Sequence, residues 1–293
     1  MKKTLTLAIN KPNRLTQELS QVYDISYYKP LSWFSKLFKA ETYPDIYFHK
    51  GVLNDTKKVL VQKAKLVLVS SYGIKKDILS KLPDIAKEKI VVLYPYLKTS
   101  AVYSIERKQQ IKADYDILDN IYTIVVLLDK VDKDGVGFVI NTLQQLSQKN
   151  FVVIFSSTTK IQTSIKTQLK SLDSLNIKPI VLEEHKDIDS LLIASDICLF
   201  PVKYKYFMQD VLKSLYFYNA TFVIDTNHTA ELVDPFSLIQ GYDDVGLSFK
   251  LDSLLSNKDE LIQIQEENHI KVEKYSFKDR FTKLQKLIKH LNL

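Results

Sequence analysis

The sequence predicts an α/β protein of two doubly wound domains, with further helices near its C-terminus. Three observations predict it. Short apolar runs alternate with helix-length amphipathic segments up to about Gly246, as parallel βαβ units do. Runs such as IVVLL and VVIF lack in–out alternation, which is expected of strands covered by helices on both faces. The 293 residues suit two domains better than one core, and residues 94–120, of mixed polarity and no clean period, offer a place to divide them.

Taken in order, strands are expected at residues 5–9, 22–26, 46–49, 66–70 and 90–93, with helical rhythm between them. In the second half they are expected at 123–128, 151–155, 179–182, 197–200 and 221–224, with helices at 136–148, 161–172, 188–194 and 208–218. After Gly246 the pattern becomes consecutive helices. Ser276 is placed to cap the last one, and Phe281, Leu284, Leu287, Ile288 and Leu291 fall on one face at spacings of three or four. The expected domains are residues 1–105, 106–275 and a closing helix, 276–293. The two sheets, of about five strands each with a linker between them, would face one cleft.

Composition narrows the function. A hydrophobic content of 45% can build a full core, which argues against wholesale disorder. The formal charge of +7 suits an anionic ligand or membrane surface, but a generally lysine-rich composition would give the same balance. Cys198 is the only cysteine and sits in an apolar strand. It can form no disulfide within the chain and reads as a buried core thiol, consistent with a cytoplasmic protein. The N-terminal apolar run is about six residues, shorter than a signal-peptide core, and no run approaches the roughly 20 apolar residues of a membrane span. There is no GxxxxGK[ST] loop, GxSxG elbow, HExxH helix or nucleic-acid-binding module. The stretch 26–43 mixes lysines with Tyr27, Tyr28, Trp33, Phe34 and Phe38. It reads either as a peripheral membrane contact on the cytoplasmic face or as a helix packing its aromatics inward.

From Leu191 to Glu231 the chain runs LLIASD, ICLFP, a helix-length KYKYFMQDVLKSLYF, TFVID and HTAEL. In rhythm this resembles the C-terminal domain of GT-B glycosyltransferases of the "glycosyl transferases group 1" type. Upstream, AKLVLVSSYGIKKDILSKL, KEKIVVLYPYL and TIVVLLDKVDKDGVGF resemble the same family. The resemblance implies two Rossmann-like domains, a C-terminal helix returning to the first, and no metal or other cofactor. It implies a nucleotide-sugar donor and a glycan or lipid-linked acceptor, as in bacterial surface polysaccharide assembly, usually with retention of anomeric configuration.

By position, Lys130 and Lys133 stand where the family places an Arg and a Lys on the donor diphosphate. Gly135 and Gly137 would let the backbone come close at a helix start. His49, ending an aspartate-led strand, would position a sugar, or it is an ordinary loop histidine. Pairing Pro201 with the family's proline puts Lys205 and Lys213 where the family has two glutamates, eight residues apart. A carboxylate accepts hydrogen bonds from sugar hydroxyls, whereas an ammonium only donates. The family's glycine-rich turn reads FSSTTK here. Two readings follow. The chain is a transferase reading its donor through other residues (Lys205, Asp210 and Lys213 lining the pocket, with Glu231, Glu183 and Glu184 as further acids), or it is a catalytically inactive scaffold that binds a glycan or a partner.

Overall fold

The computed structural model describes residues 2–30, 42–148, 150–175, 177 and 179–291. The chain forms two compact units, residues 1–96 with 275–293 and residues 97–274. Each is an α/β unit around one parallel sheet.

Unit 1 begins with β1 (Thr4–Ala8), α1 (Arg14–Val22), β2 (Asp24–Tyr27), β3 (Ile46–Phe48), α2 (Asp55–Lys63), β4 (Leu66–Val69), α3 (Tyr72–Lys81) and β5 (Ile90–Val92). The sheet order is β2-β1-β3-β4-β5. Successive strand residues point to opposite faces, so Leu66 and Leu68 join one core layer with Leu15 and Leu19 of α1. Val67 and Val69 join the other, with Val61 of α2 and Ile78 of α3. This two-sided burial is why the strands read as unbroken apolar runs. Asn13, Asn54 and Ser71 cap the three helices with their side chains.

Unit 2 contains α4 (Ile105–Asp114), β6 (Tyr122–Leu127), α5 (Lys133–Gln145), β7 (Phe151–Ser156), α6 (Thr163–Leu169), β8 (Ile180–Leu182), α7 (Ile188–Ala194), β9 (Ile197–Phe200), α8 (Gln209–Tyr216), β10 (Ala220–Ile224), β11 (Leu238–Ile239), α9 (Gly246–Ser256) and α10 (Lys258–Glu273). Its order is β11-β10-β9-β6-β7-β8. The direction of winding reverses between β6 and β9, so the ligand crevice of such a sheet lies outside the carboxyl ends of these two strands. The chain then returns to unit 1 in α11 (Phe277–His290), whose Leu284 and Ile288 complete the layer of Leu5 and Leu7. Ser276 caps α11 by accepting from the Asp279 N–H.

The structure corrects three expectations. Residues 94–120 are not a plain linker, because they contain α4, and the chain divides after Tyr96 rather than after 105. The helical period is obscured because Lys108 and Lys112 occupy the buried face beside Ile111. Lys108 donates to Asp196 Oδ1 at 2.6 Å and to the Ser195 carbonyl at 2.8 Å, while Asp196 Oδ2 accepts the Thr123 N–H at 2.8 Å. The short β11, paired with β10, went unpredicted because two residues show no period. Within the aromatic stretch 26–43, residues 31–41 lie outside the described residues. Among the described residues no helix is long and apolar enough to cross a membrane.

Candidate functional site: the switch point of the second sheet

The loops after β6, β7 and β9 meet at the switch point. A pocket of about 360 Å³ there is lined by residues 128–133 of the first loop, residues of the second from Ser157 to Gln162, Ile165 of α6 and Tyr204 of the third. Three lysines border it: Lys130, Lys133 and Lys160. The first two come from the βα turn that the sequence singled out, whereas Lys160 ends the FSSTTK turn and was missed. Its signal was present, since a loop stripped of glycine but ending in lysine exchanges close backbone approach for a mobile cation.

The first loop is built around a tight turn. The Val131 N–H reaches back to the Leu128 carbonyl at 3.0 Å, and Lys130 adopts a left-handed backbone, φ +67°. For a residue with a Cβ that conformation costs roughly 1–2 kcal/mol. The Lys130 Nζ rests 3.8 Å from the centroid of the Tyr206 ring, a contact worth about 0.5–1 kcal/mol at an exposed site. The contact offsets the strain only in part, so a lysine here is less stable than a glycine would be. Burial, then the charges of Asp210 and Asp129, push the Tyr206 hydroxyl up to about 12, so the ring facing Lys130 is a neutral phenol.

Asp129 ties this loop to the next. Its carboxylate accepts the Thr158 N–H at 3.1 Å and the Thr158 hydroxyl at 2.7 Å. Asp132 caps α5, accepting the Gly135 N–H at 2.8 Å. Lys133, the first residue of α5, is exposed.

The glycines behave differently from expectation. A Cβ on Gly135 would stand 2.6 Å from the Tyr242 hydroxyl and 2.9 Å from the Val131 side chain. Gly135 therefore makes room for Tyr242, not for a ligand. One on Gly137 would meet only ordinary contact distances. Tyr242 stacks on Phe138, donates to the Pro201 carbonyl at 3.0 Å and carries Lys203 3.5 Å over its ring. It joins the start of α5 to the loop after β9, and its distance in sequence hid that role.

The other expected residues divide. Lys205 is exposed, next to Tyr206. Lys213 is paired, its Nζ lying 2.6 Å from Asp189 Oδ1 of α7. Asp210, one turn before Lys213, is half-buried; burial pushes its carboxyl up, Lys213 pulls it back, and the charges of Asp129 and Asp189 push it up again. Glu231 is exposed in a short turn after β10 and does not line the pocket. Glu183 pairs with Lys166, and Glu184 holds a left-handed backbone. His49 belongs to unit 1 and is nine-tenths buried at the carboxyl end of β3. Its Nδ1 lies 3.1 Å from the Tyr47 hydroxyl. Burial, with Lys57 adding to it, lowers its pKa to about 4, so at neutral pH it is an uncharged hydrogen-bonding group. Among the described residues no group of three or more His, Cys, Asp or Glu side chains is placed to hold a metal ion.

No family model and no curated protein matches the sequence. Solved structures do match. A glycosyltransferase from Rickettsia africae is similar at TM-score 0.71 and 14% identity, over 99% of this chain and 98% of that one. HepE from Anabaena, in complex with UDP-glucose, is similar at TM-score 0.68 and 12% identity, over 99% and 100%. The fold is GT-B. A third GT-B structure, WaaG, a glycosyltransferase involved in lipopolysaccharide biosynthesis, is similar at TM-score 0.63 and 10% identity, over 92% and 95%. On this GT-B chain the three pocket lysines stand at the switch point of the second, C-terminal sheet.

Proposed function

We propose that the chain is a glycosyltransferase whose unit 2 binds a nucleotide-sugar donor, with the diphosphate held by Lys130, Lys133 and Lys160. The observation that carries this reading is the convergence of three lysines from two successive βα loops on one pocket at the switch point. Ammonium groups there would stabilise the negative charge that develops on the departing diphosphate, so no metal or other cofactor is invoked. Lys130 in particular is kept in a conformation that costs stability, which favours a role outside packing. The sugar would pass to a glycan or lipid-linked acceptor in bacterial surface polysaccharide assembly, at the cytoplasmic side of a membrane, with residues 26–43 making the peripheral contact. HepE with UDP-glucose and WaaG in lipopolysaccharide synthesis support this choice of chemistry. His49, as a neutral group, would orient a sugar hydroxyl without transferring a proton.

A second reading rests on a specific observation: lysines, not carboxylates, occupy positions 205 and 213. On that reading the chain is an inactive GT-B scaffold that binds a glycan or a partner. Thermal denaturation with UDP-, GDP- and CMP-sugars separates the two. A donor at a hundred times its Kd adds about 2.7 kcal/mol, and the shift should vanish in Lys130→Ala/Lys133→Ala. A flat screen together with co-purification of another transferase supports the scaffold.

A further inference from the structure

Lys130 differs from the other two pocket lysines in what its amine touches. It lines the pocket, yet its Nζ lies 3.8 Å from the centroid of Tyr206, a residue outside that lining. Among the described residues it is the one pocket lysine whose amine rests on a ring. The ring has supports of its own. The Tyr206 N–H donates to the Tyr204 carbonyl at 3.0 Å, and the same carbonyl accepts Asn227 Nδ2, from the loop after β10, at 2.9 Å. Tyr242 fixes the start of this stretch through the Pro201 carbonyl. The seat thus belongs to the loop after β9, and its position does not depend on Lys130.

A ring face is the negative end of the aromatic quadrupole. It attracts an ammonium group and repels a phosphate oxygen. Asp129 and Asp210, whose charges reach the Tyr206 hydroxyl, add to the repulsion of an anion at this spot. An amine seated 3.8 Å from the centroid is in contact with the face, whereas a charge-assisted bond needs a phosphate oxygen at about 2.7–2.9 Å from the nitrogen. Ring and phosphate are therefore alternatives for one amine, and moving it from one to the other gives up the ring contact.

We propose that Tyr206 is an internal competitor for the Lys130 amine: it holds the cation on its ring, yields it to a diphosphate in the pocket, and takes it back as the diphosphate leaves. This rests on the donor-binding reading above only in that the pocket lysines take phosphate. It adds a device that weakens the hold on the departing diphosphate, whose release limits turnover in many enzymes. The test measures binding of inorganic pyrophosphate by titration calorimetry, at one ionic strength, to the wild type and to Tyr206 variants.

Tyr206→Leu removes the ring and should tighten pyrophosphate binding about two- to fivefold, the worth of an exposed cation–π contact. Tyr206→Phe keeps a ring and should stay within about twofold of the wild type. In a Lys130→Gly background, where no amine is left to compete for, Tyr206→Leu should change affinity by less than about 1.5-fold. If Tyr206→Leu fails to fold, proton NMR of the wild type carries the test. The Lys130 ε-methylene signal, identified by its absence in Lys130→Gly, should be shifted upfield by the ring and should lose that shift at saturating pyrophosphate. Weaker binding by Tyr206→Leu would mean that the ring presents the amine to the pocket, and it overturns the proposal. Unchanged binding does the same, as does tightening that persists in Lys130→Gly or an upfield shift that saturating pyrophosphate leaves in place. Those results leave the lysine pocket standing. Failure of the wild type to bind pyrophosphate overturns both the proposal and the donor-binding reading.

Discussion

Unit 2 carries lysines at both ends of its sheet, and the two ends use them in opposite ways. At the amino end, Lys108 and Lys112 are buried, and Lys108 lies 2.6 Å from the Asp196 carboxylate. Asp196 also accepts a β6 amide, so one carboxylate joins α4, β6 and the start of β9. At the carboxyl end, Lys130 and Lys203 rest on tyrosine faces, and Lys133 and Lys160 are exposed at the pocket. A lysine satisfied by a buried carboxylate is committed to the fold. A lysine resting on a ring loses little when an anion draws it away, since the contact is worth about 1 kcal/mol or less. The same residue type is structural at one end and available for a ligand at the other.

The largest expected effect breaks the structural end. Asp196→Ala leaves the Lys108 and Lys112 ammonium groups buried without their carboxylate and should cost about 3–5 kcal/mol of unfolding free energy. Urea denaturation of variant and wild type checks it. A loss under 1 kcal/mol would show that the pair is peripheral.

Next comes a pH effect in unit 1. His49 has its folded pKa lowered to about 4 from 6.5, so between these values the unfolded chain binds the extra proton. Stability is therefore complete above about pH 6.5 and is lost as pH falls toward 4. Over that window the loss should be about 3 kcal/mol. Denaturation curves at pH 7 and pH 4 should show a drop smaller by that amount in His49→Gln than in the wild type.

Gly135→Ala should cost about 1–3 kcal/mol, because the added methyl meets the Tyr242 hydroxyl and ring carbon at 2.6 and 2.9 Å. Shortening Tyr242 to leucine in the same chain should recover part of the loss, which a double-mutant cycle reads directly. Smallest is Lys130→Gly. Relief of the left-handed strain outweighs loss of the ring contact by about 1 kcal/mol or less, so the variant should be as stable as the wild type or slightly more so. Nucleotide affinity should nonetheless fall at least tenfold. A variant equally stable and equally tight would remove Lys130 from the site.

Most of the sheet structure was legible because both faces of these strands are buried, and two-sided burial writes itself as runs such as Leu66–Val69 and Tyr122–Leu127. Helix α4 was illegible because its buried face carries Lys108 and Lys112, whose partner Asp196 lies far along the chain. The site was legible only where one loop supplies it. Lys130 and Lys133 share a turn and were found together. Lys160, Tyr206 and Tyr242 arrive from separate loops, and no spacing in the sequence announces that they meet the turn after β6. Gly135 was noticed for the right property, absence of a Cβ, but that space receives a tyrosine ring instead of a ligand. Lys213 was read with Lys205 and Asp210 as lining the pocket, and its ion pair with Asp189, on another helix, was not legible.

The lysine pocket as a diphosphate site is tested most directly by the crystal structure of the protein soaked with UDP or GDP. The account predicts the two phosphates within about 4 Å of the amines of Lys130, Lys133 and Lys160, as charge-assisted contacts require. A diphosphate bound elsewhere, with those three amines still facing solvent or resting on Tyr206, would contradict it.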